Sequence, residues 1–290
     1  MSLQALLFRR GASKSDKKRD AAIPLPEGIT QCRNISYGPY GGNSLLDVYY
    51  PQDTSAPLPT IVSIHGGAYV YGNKEIYRRY CMDLARRGFA VVNFNYRLAP
   101  GWKFPAPLAD TNAVLQWVVK NAQRYNLDPS RLFLVGDSAG AQLVSQYAAI
   151  LANPQYASLF QMKLPKVCVR AIALNCGMYD MSVRAAQPRK GIHRDYLGKD
   201  LPLDDPRFRV LESINADYPP AFITTACRDF LRECAEPMYR FLREQGVQAQ
   251  WRCYGPEGEG AVGHVFHVNI LLPEAVQCND DTAEFFRRHL

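Results

Sequence analysis

Two rhythms alternate along the chain. Short apolar runs recur: "LLDVYYP" (45–51), "TIVSIH" (60–65), "FAVVNFNY" (89–96), "LFLV" (132–135), "KVCVRAIALN" (166–175), "AFITTA" (221–226) and "VQAQWRCY" (247–254). Rich in β-branched and aromatic residues, they predict strands, and the unbroken ones predict strands buried on both faces. Between them lie longer stretches with apolar positions at helical spacing: 76–88, 107–125, 139 onward, 231–246 and the closing 272–290. Gly88 stands where a helix C-cap belongs, and Pro237 bends its helix or delays its start. Strands alternating with helices predict an α/β protein, a mostly parallel sheet with helices on both faces. The 290 residues show no internal repeat and are long enough to bury one large core, so the whole chain, 1–290, is expected to form one domain.

Two segments break the rhythm. Residues 177–219 carry Met178, Tyr179, Met181, Tyr196, Leu197 and Phe208 among charges without a strand pattern, which predicts a folded lid. Together with residues 1–30 it is expected to cap the sheet's carboxyl edge. The N-terminus also concentrates charge. The chain is formally +7, and Arg9, Arg10, Lys14, Lys17, Lys18 and Arg19 fall in its first twenty residues. Such a cluster serves nucleic acid or an anionic membrane surface, or is a solvated, partly ordered tail. No nucleic-acid motif follows, so the tail is the reading adopted. Hydrophobic residues at 47% and charged ones at 21% are ordinary for a globular protein, and no apolar run approaches the length of a membrane helix. The apolar stretch 5–8 is too short for a signal peptide and precedes the charges, so a cytoplasmic location is expected. Eight scattered cysteines without C-x-x-C pairing are then expected to be reduced and mostly buried, and no metal site is expected.

Candidate chemistry begins at "LFLVGDSAGAQL", where a buried strand runs through Gly136-Asp137-Ser138-Ala139-Gly140 into a helix. G-x-S-x-G at such a junction is a sharp turn that lifts a serine hydroxyl above the sheet edge. Upstream, "IVSIHGGAYVYG" runs a strand into His65-Gly66-Gly67-Ala68, where paired glycines leave backbone N–H groups free to face a developing oxyanion. Gly66, Gly67 and Ala139 are the expected donors. An acid and a base should follow the serine. Asp229 comes just after the strand 221–226, with Glu233 the weaker alternative, and Asp229 also suits a helix N-cap. Among five histidines, His264 in "GAVGHVFHV" has the position a base needs, with His267 as the structural alternative. Tyr69 and Tyr71, just past the oxyanion loop, either narrow the substrate pocket or simply pack.

Four motifs in one order, "HGGA", "NYRLAP" with "FPAPLAD", "GDSAG", and "CRDFLRE" with "GHVFH", resemble the hormone-sensitive-lipase-like branch of the α/β-hydrolase superfamily, which includes microbial carboxylesterases and arylacetamide deacetylases. They span residues 61 to 267. The resemblance implies an α/β-hydrolase fold with an eight-stranded sheet, a cap from the N-terminus and an insertion, no cofactor, and ester hydrolysis through an acyl-serine. The chain departs from the branch at Ala68, Phe230 and Ala141, none of which removes a catalytic atom. The expected partner is a small-molecule ester, short and soluble, with no nucleic acid and no stable membrane insertion; assembly into a homo-oligomer stays open. An amide or formamide hydrolase of the kynurenine-formamidase-like kind shares the triad and stays open too. A non-catalytic ligand-binding relative would have lost a triad member, and here all three are present.

Overall fold

The computed structural model describes residues 1–182, 190–202, 204–256, 258 and 262–290. Parts of the expected lid (183–189 and 203) and of the loop before His264 (259–261) lie outside the described residues. Among the described residues, eight strands form one sheet: β1 (Ile29–Ser36), β2 (Leu45–Pro51), β3 (Leu58–Ile64), β4 (Ala90–Phe94), β5 (Leu127–Asp137), β6 (Val169–Asn175), β7 (Ala221–Ala226) and β8 (Ala249–Tyr254). Their spatial order is β1-β2-β4-β3-β5-β6-β7-β8. β2 runs antiparallel to both β1 and β4, and every other neighbouring pair is parallel.

The pleat divides the apolar runs between two cores. Val62, Ile64, Val92, Leu132, Leu134, Ile172 and Leu174 face one side, whereas Ile61, Val91, Phe133, Val135, Ala171 and Ala173 face the other. This period of two, buried both ways, is why the central strands read as continuous hydrophobic runs. The first face is covered by α3 (Ala106–Asn121) and α4 (Ala139–Ala152), the second by α2 (Arg78–Ala85) and, as labelled below, the last helix of the chain. The short α5 (Pro154–Ser158) extends α4. Further along come α6 (Gly191–Leu197), α7 (Ala235–Glu244) and α8 (Pro273–Arg287). Pro237 is the third residue of α7, where its missing N–H has no intrahelical acceptor to lose, so the late start is the outcome.

Three expectations need correction. The basic N-terminal segment is not a partly ordered tail: it forms a helix, α1 (Leu3–Ala22), whose N-cap Ser2 accepts from the Ala5 N–H. Ser2 also anchors the helix, donating from its backbone N–H and its hydroxyl to Asp195 of α6 at 2.8 and 2.7 Å. β1 was not foreseen, because an edge strand with mostly half-exposed side chains carries no apolar run. The cysteines are all free thiols, but only Cys81, Cys176 and Cys278 are buried; Cys168 is exposed and the rest lie between. Among the described residues no helix is long and apolar enough to cross a membrane.

Candidate active site

Strand β5 ends at Asp137 and helix α4 begins at Ala139, leaving Ser138 alone to turn the chain at φ 52° and ψ −115°. A non-glycine residue at positive φ is strained, and the surroundings must hold it there. Its N–H donates to the Asn175 carbonyl at 2.9 Å, tying the turn to β6. Gly140 lets the first turn of α4 lie directly on β3, since a Cβ there would strike the Ile64 carbonyl. The serine is therefore presented at the carboxyl edge by backbone geometry.

The loop after β3 is fastened from below. His65 is buried, stacks on Tyr96 at 4.1 Å and donates from Nδ1 to the Gly66 carbonyl at 2.7 Å. Burial pushes its pKa down to about 4, against the pull of that carbonyl, so the ring is neutral. The Gly66 N–H donates to Tyr77 Oη at 3.0 Å, and Tyr77 Oη donates in turn to Asp137 Oδ2 at 2.7 Å. Asp137 is buried, which raises its pKa to about 7, while the Tyr77 bond, His264 and the Gly66 N–H pull it back. Gly66, expected to face the oxyanion, thus has its N–H engaged inside the protein. Gly67, Ala68 (φ 50°) and Ala139 line the cavity beyond it.

Asp229 is buried three residues beyond the end of β7. Its Oδ1 accepts from His264 Nδ1 at 2.7 Å and from the Leu231 N–H at 2.9 Å, and its Oδ2 accepts from Thr225 Oγ1 at 2.9 Å. It therefore both caps the following turn and holds the imidazole. Burial alone would raise its pKa, but the His264 bond and charge outweigh that and leave it below the usual carboxylate value. With Nδ1 held by the carboxylate, Nε2 is the His264 ring nitrogen left for chemistry in the cavity the residue lines. The exposed ring of Phe230 leans on the imidazole, 4.2 Å away between centres. His267 is different. It is fully buried, neither ring nitrogen has a hydrogen-bond partner among the described residues, and burial lowers its pKa to about 3. The structural alternative expected a satisfied ring, and this one is not. Glu233 is exposed and lines no part of the cavity.

Cys176, Asp229 and His264 bring three metal-type donor atoms within 4.8 Å of one another. The set fits a metal poorly, because burial drives the Cys176 thiol pKa far up and the Asp229–His264 contact is itself a hydrogen bond.

Ser138, His264, the Gly67–Ala68 loop and Ala139 open into one cavity of about 760 Å³. Tyr69 and Tyr71 both line it. Tyr69 donates to Gln142 Oε1 at 2.9 Å and stacks flat on Tyr196 of α6 at 3.8 Å; Tyr71 donates to Asp16 of α1 at 2.8 Å. The outer wall comes from α1 (Phe8, Ala12, Asp16, Arg19) and α6 (Ile192, Tyr196, Leu197). Sequence reasoning missed Tyr77, which carries no motif, and passed over Asp137 although it stands inside G-D-S-A-G.

Fold and site together define an α/β hydrolase. A family model described as the alpha/beta hydrolase fold matches residues 61–268, and the chain belongs to that family, in its hormone-sensitive-lipase-like branch. It is an enzyme of the hydrolase class. Among relatives, an ethyl acetate hydrolase from Pseudomonas putida is 31% identical over 216 residues, 69% of this chain and 65% of that protein, so the match spans slightly less than two thirds of its length. An acetyl esterase from Salmonella dublin is 25% identical over 96% of this chain and 82% of its own. Esterase B from Lactobacillus rhamnosis shares the fold at a TM-score of 0.87 and 24% identity, covering 98% of this chain and 93% of that one.

Proposed function

We propose that the protein is a serine carboxylesterase that hydrolyses short-chain, soluble esters through an acyl-serine. The observation that carries this reading is the meeting, in one cavity, of a strained Ser138 and a His264 whose Nδ1 is already held by Asp229. His264 Nε2 takes the Ser138 proton as Oγ attacks the ester carbonyl, and Asp229 keeps the tautomer and stabilises the imidazolium. The N–H groups of Gly67, Ala68 and Ala139 receive the oxyanion, Gly66 being engaged by Tyr77. Collapse expels the alcohol, which takes the proton from His264. Water activated by the same imidazole then releases the acid and frees the serine.

The walls built by α1, α6, Tyr69 and Tyr71 favour small acyl groups over long chains, and the relatives named for ethyl acetate and acetyl esters support that choice. A p-nitrophenyl ester series tests it, with N-formyl and anilide substrates alongside. Turnover should fall as the acyl chain lengthens and be absent on the amides. Ser138→Ala and His264→Ala should each lower kcat by about 10³-fold or more, and the double variant by little more, since triad members act as a unit. A single variant that kept a tenth of the activity would remove its residue from the mechanism.

A further inference from the structure

Helix α1 turns two different faces outward and inward. Inward go Ala5, Arg9 and Asp16, with Arg9 donating to the Val70 and Ala99 carbonyls. Outward, the first turns expose Leu3 (70%), Leu6 (40%) and Leu7 (59%). Further along, the exposed side chains are Arg10, Lys14, Lys17 and Lys18, and none of the four makes an ion pair among the described residues. At about 100° per residue, these three leucines and four cations fall within one arc of about 120°. One face thus carries an apolar end followed by a basic end. The whole helix holds six cations against two carboxylates, more than half of the chain's surplus of seven.

We infer that this outward face of α1 docks the protein on anionic lipid surfaces, its leucines entering the acyl boundary and its cations lying on the headgroups. Interfacial helices combine leucines with cations, here set end to end along one face rather than on opposite faces. Nucleic acid would answer the cations but leave the leucines wet. A second copy pairs poorly: antiparallel helices set leucines against lysines, and parallel ones set like charges together. The inner face of the same helix lines the cavity through Phe8, Asp16 and Arg19. Docking would therefore hold the cavity beside the lipid–water boundary, where amphiphilic esters collect. The contact is peripheral, not a membrane span, and it goes beyond the esterase reading.

Sedimentation of the full chain with vesicles tests the inference, using Ser138→Ala so that no turnover is involved. Success or failure here is therefore independent of the proposed esterase activity. The protein should pellet with phosphatidylcholine vesicles containing phosphatidylglycerol, should stay in solution with phosphatidylcholine alone, and should be released by salt. Each cation near an anionic surface strengthens binding about fivefold, so Lys14→Glu with Lys17→Glu should weaken partitioning by about 25-fold or more. Leu3→Ser with Leu7→Ser should weaken it as well, and an unchanged melting temperature in both variants shows that the fold is intact. No binding to the anionic vesicles, or equal binding by the charge-reversed variant, overturns the inference. So does tighter binding to duplex DNA than to vesicles, or a dimer in solution that the Leu3→Ser/Leu7→Ser variant dissolves.

Discussion

Tyr77→Phe removes one oxygen from the relay beneath the oxyanion loop. That oxygen accepts the Gly66 N–H at 3.0 Å and donates to Asp137 at 2.7 Å, and both partners are buried. Leaving each unsatisfied costs about 1–3 kcal/mol. The sum, roughly 2–6 kcal/mol, falls mostly below the ~5–15 kcal/mol stability of a typical domain, so the variant should fold. Its melting temperature should fall by roughly 4–24 °C, taking about 2–4 °C per kcal/mol for a chain of this size. The catalytic effect comes through position. Gly66 precedes the two loop residues proposed to hold the oxyanion, and losing one such donor outright lowers kcat by about 10²–10³. A loosened loop keeps its donors but aims them less well, so a loss of about 10–30-fold in kcat is expected. KM should change by less than about threefold, because the ground-state ester does not need the oxyanion contacts. Steady-state kinetics with p-nitrophenyl acetate, beside a thermal melt, read both quantities. A kcat within twofold of the parent despite the lower melting temperature would show that the relay only stabilises the fold.

Other expectations follow from the same buried groups. His267, lowered to about 3, is neutral in the fold and takes up a proton once unfolded, so its contribution is lost as pH falls from about 6.5 through about 3. His267→Phe should thus raise the melting temperature progressively more as pH falls from about 6.5 towards 3, and esterase activity should survive; a dead enzyme would place His267 in the mechanism. Asp137 has the opposite sign. Its pKa is raised to about 7, so the stability it supplies is full below the ordinary carboxylate pKa and is lost as pH rises through about 7. Asp137→Asn should flatten that decline in melts taken from pH 4 to 8, and an unchanged slope would contradict the assignment. Deleting residues 1–20 removes one cavity wall and leaves the sheet. The acyl-chain profile of the ester series should broaden more than the melting temperature falls, and an unaltered profile would leave selectivity to α6 and the two tyrosines.

The central strands and the serine turn were legible because their signals are local. β3, β4 and β7 are buried on both faces and read as near-continuous apolar runs broken only by small or neutral polar residues such as Ser63, Asn93 and Thr224, and a serine between two glycines after such a strand has few other uses. The pairing of Asp229 with His264 was legible too: the two residues, far apart in sequence, lie 2.7 Å apart. Gly66 shows where such reading stops. Which way an N–H points depends on a tyrosine eleven residues later, and no residue type in "HGGA" records it. Helix α1 escaped for a different reason. Its exposed face is partly apolar and its inner face holds Arg9, Asp16 and Arg19, so the usual contrast between a buried apolar stripe and a polar outside is missing. The cysteines were misjudged because an apolar preference averaged over proteins says little about positions on an edge strand such as Cys32 or Cys253.

The bond between Ser2 and Asp195 joins residues 193 apart, and that separation sets a clock. At synthesis rates of about 5–20 residues per second, α1 leaves the ribosome roughly 10–40 s before the helix that receives it exists. Most of a helix's stability in a protein comes from tertiary packing, so a segment made before its partner is among the last to find its place. By then β3, β4 and β5 can already have paired and the serine turn can already have formed. The proposed nucleophile is thus assembled in the open, and the cavity in which it would work is completed only as α1 folds back over it.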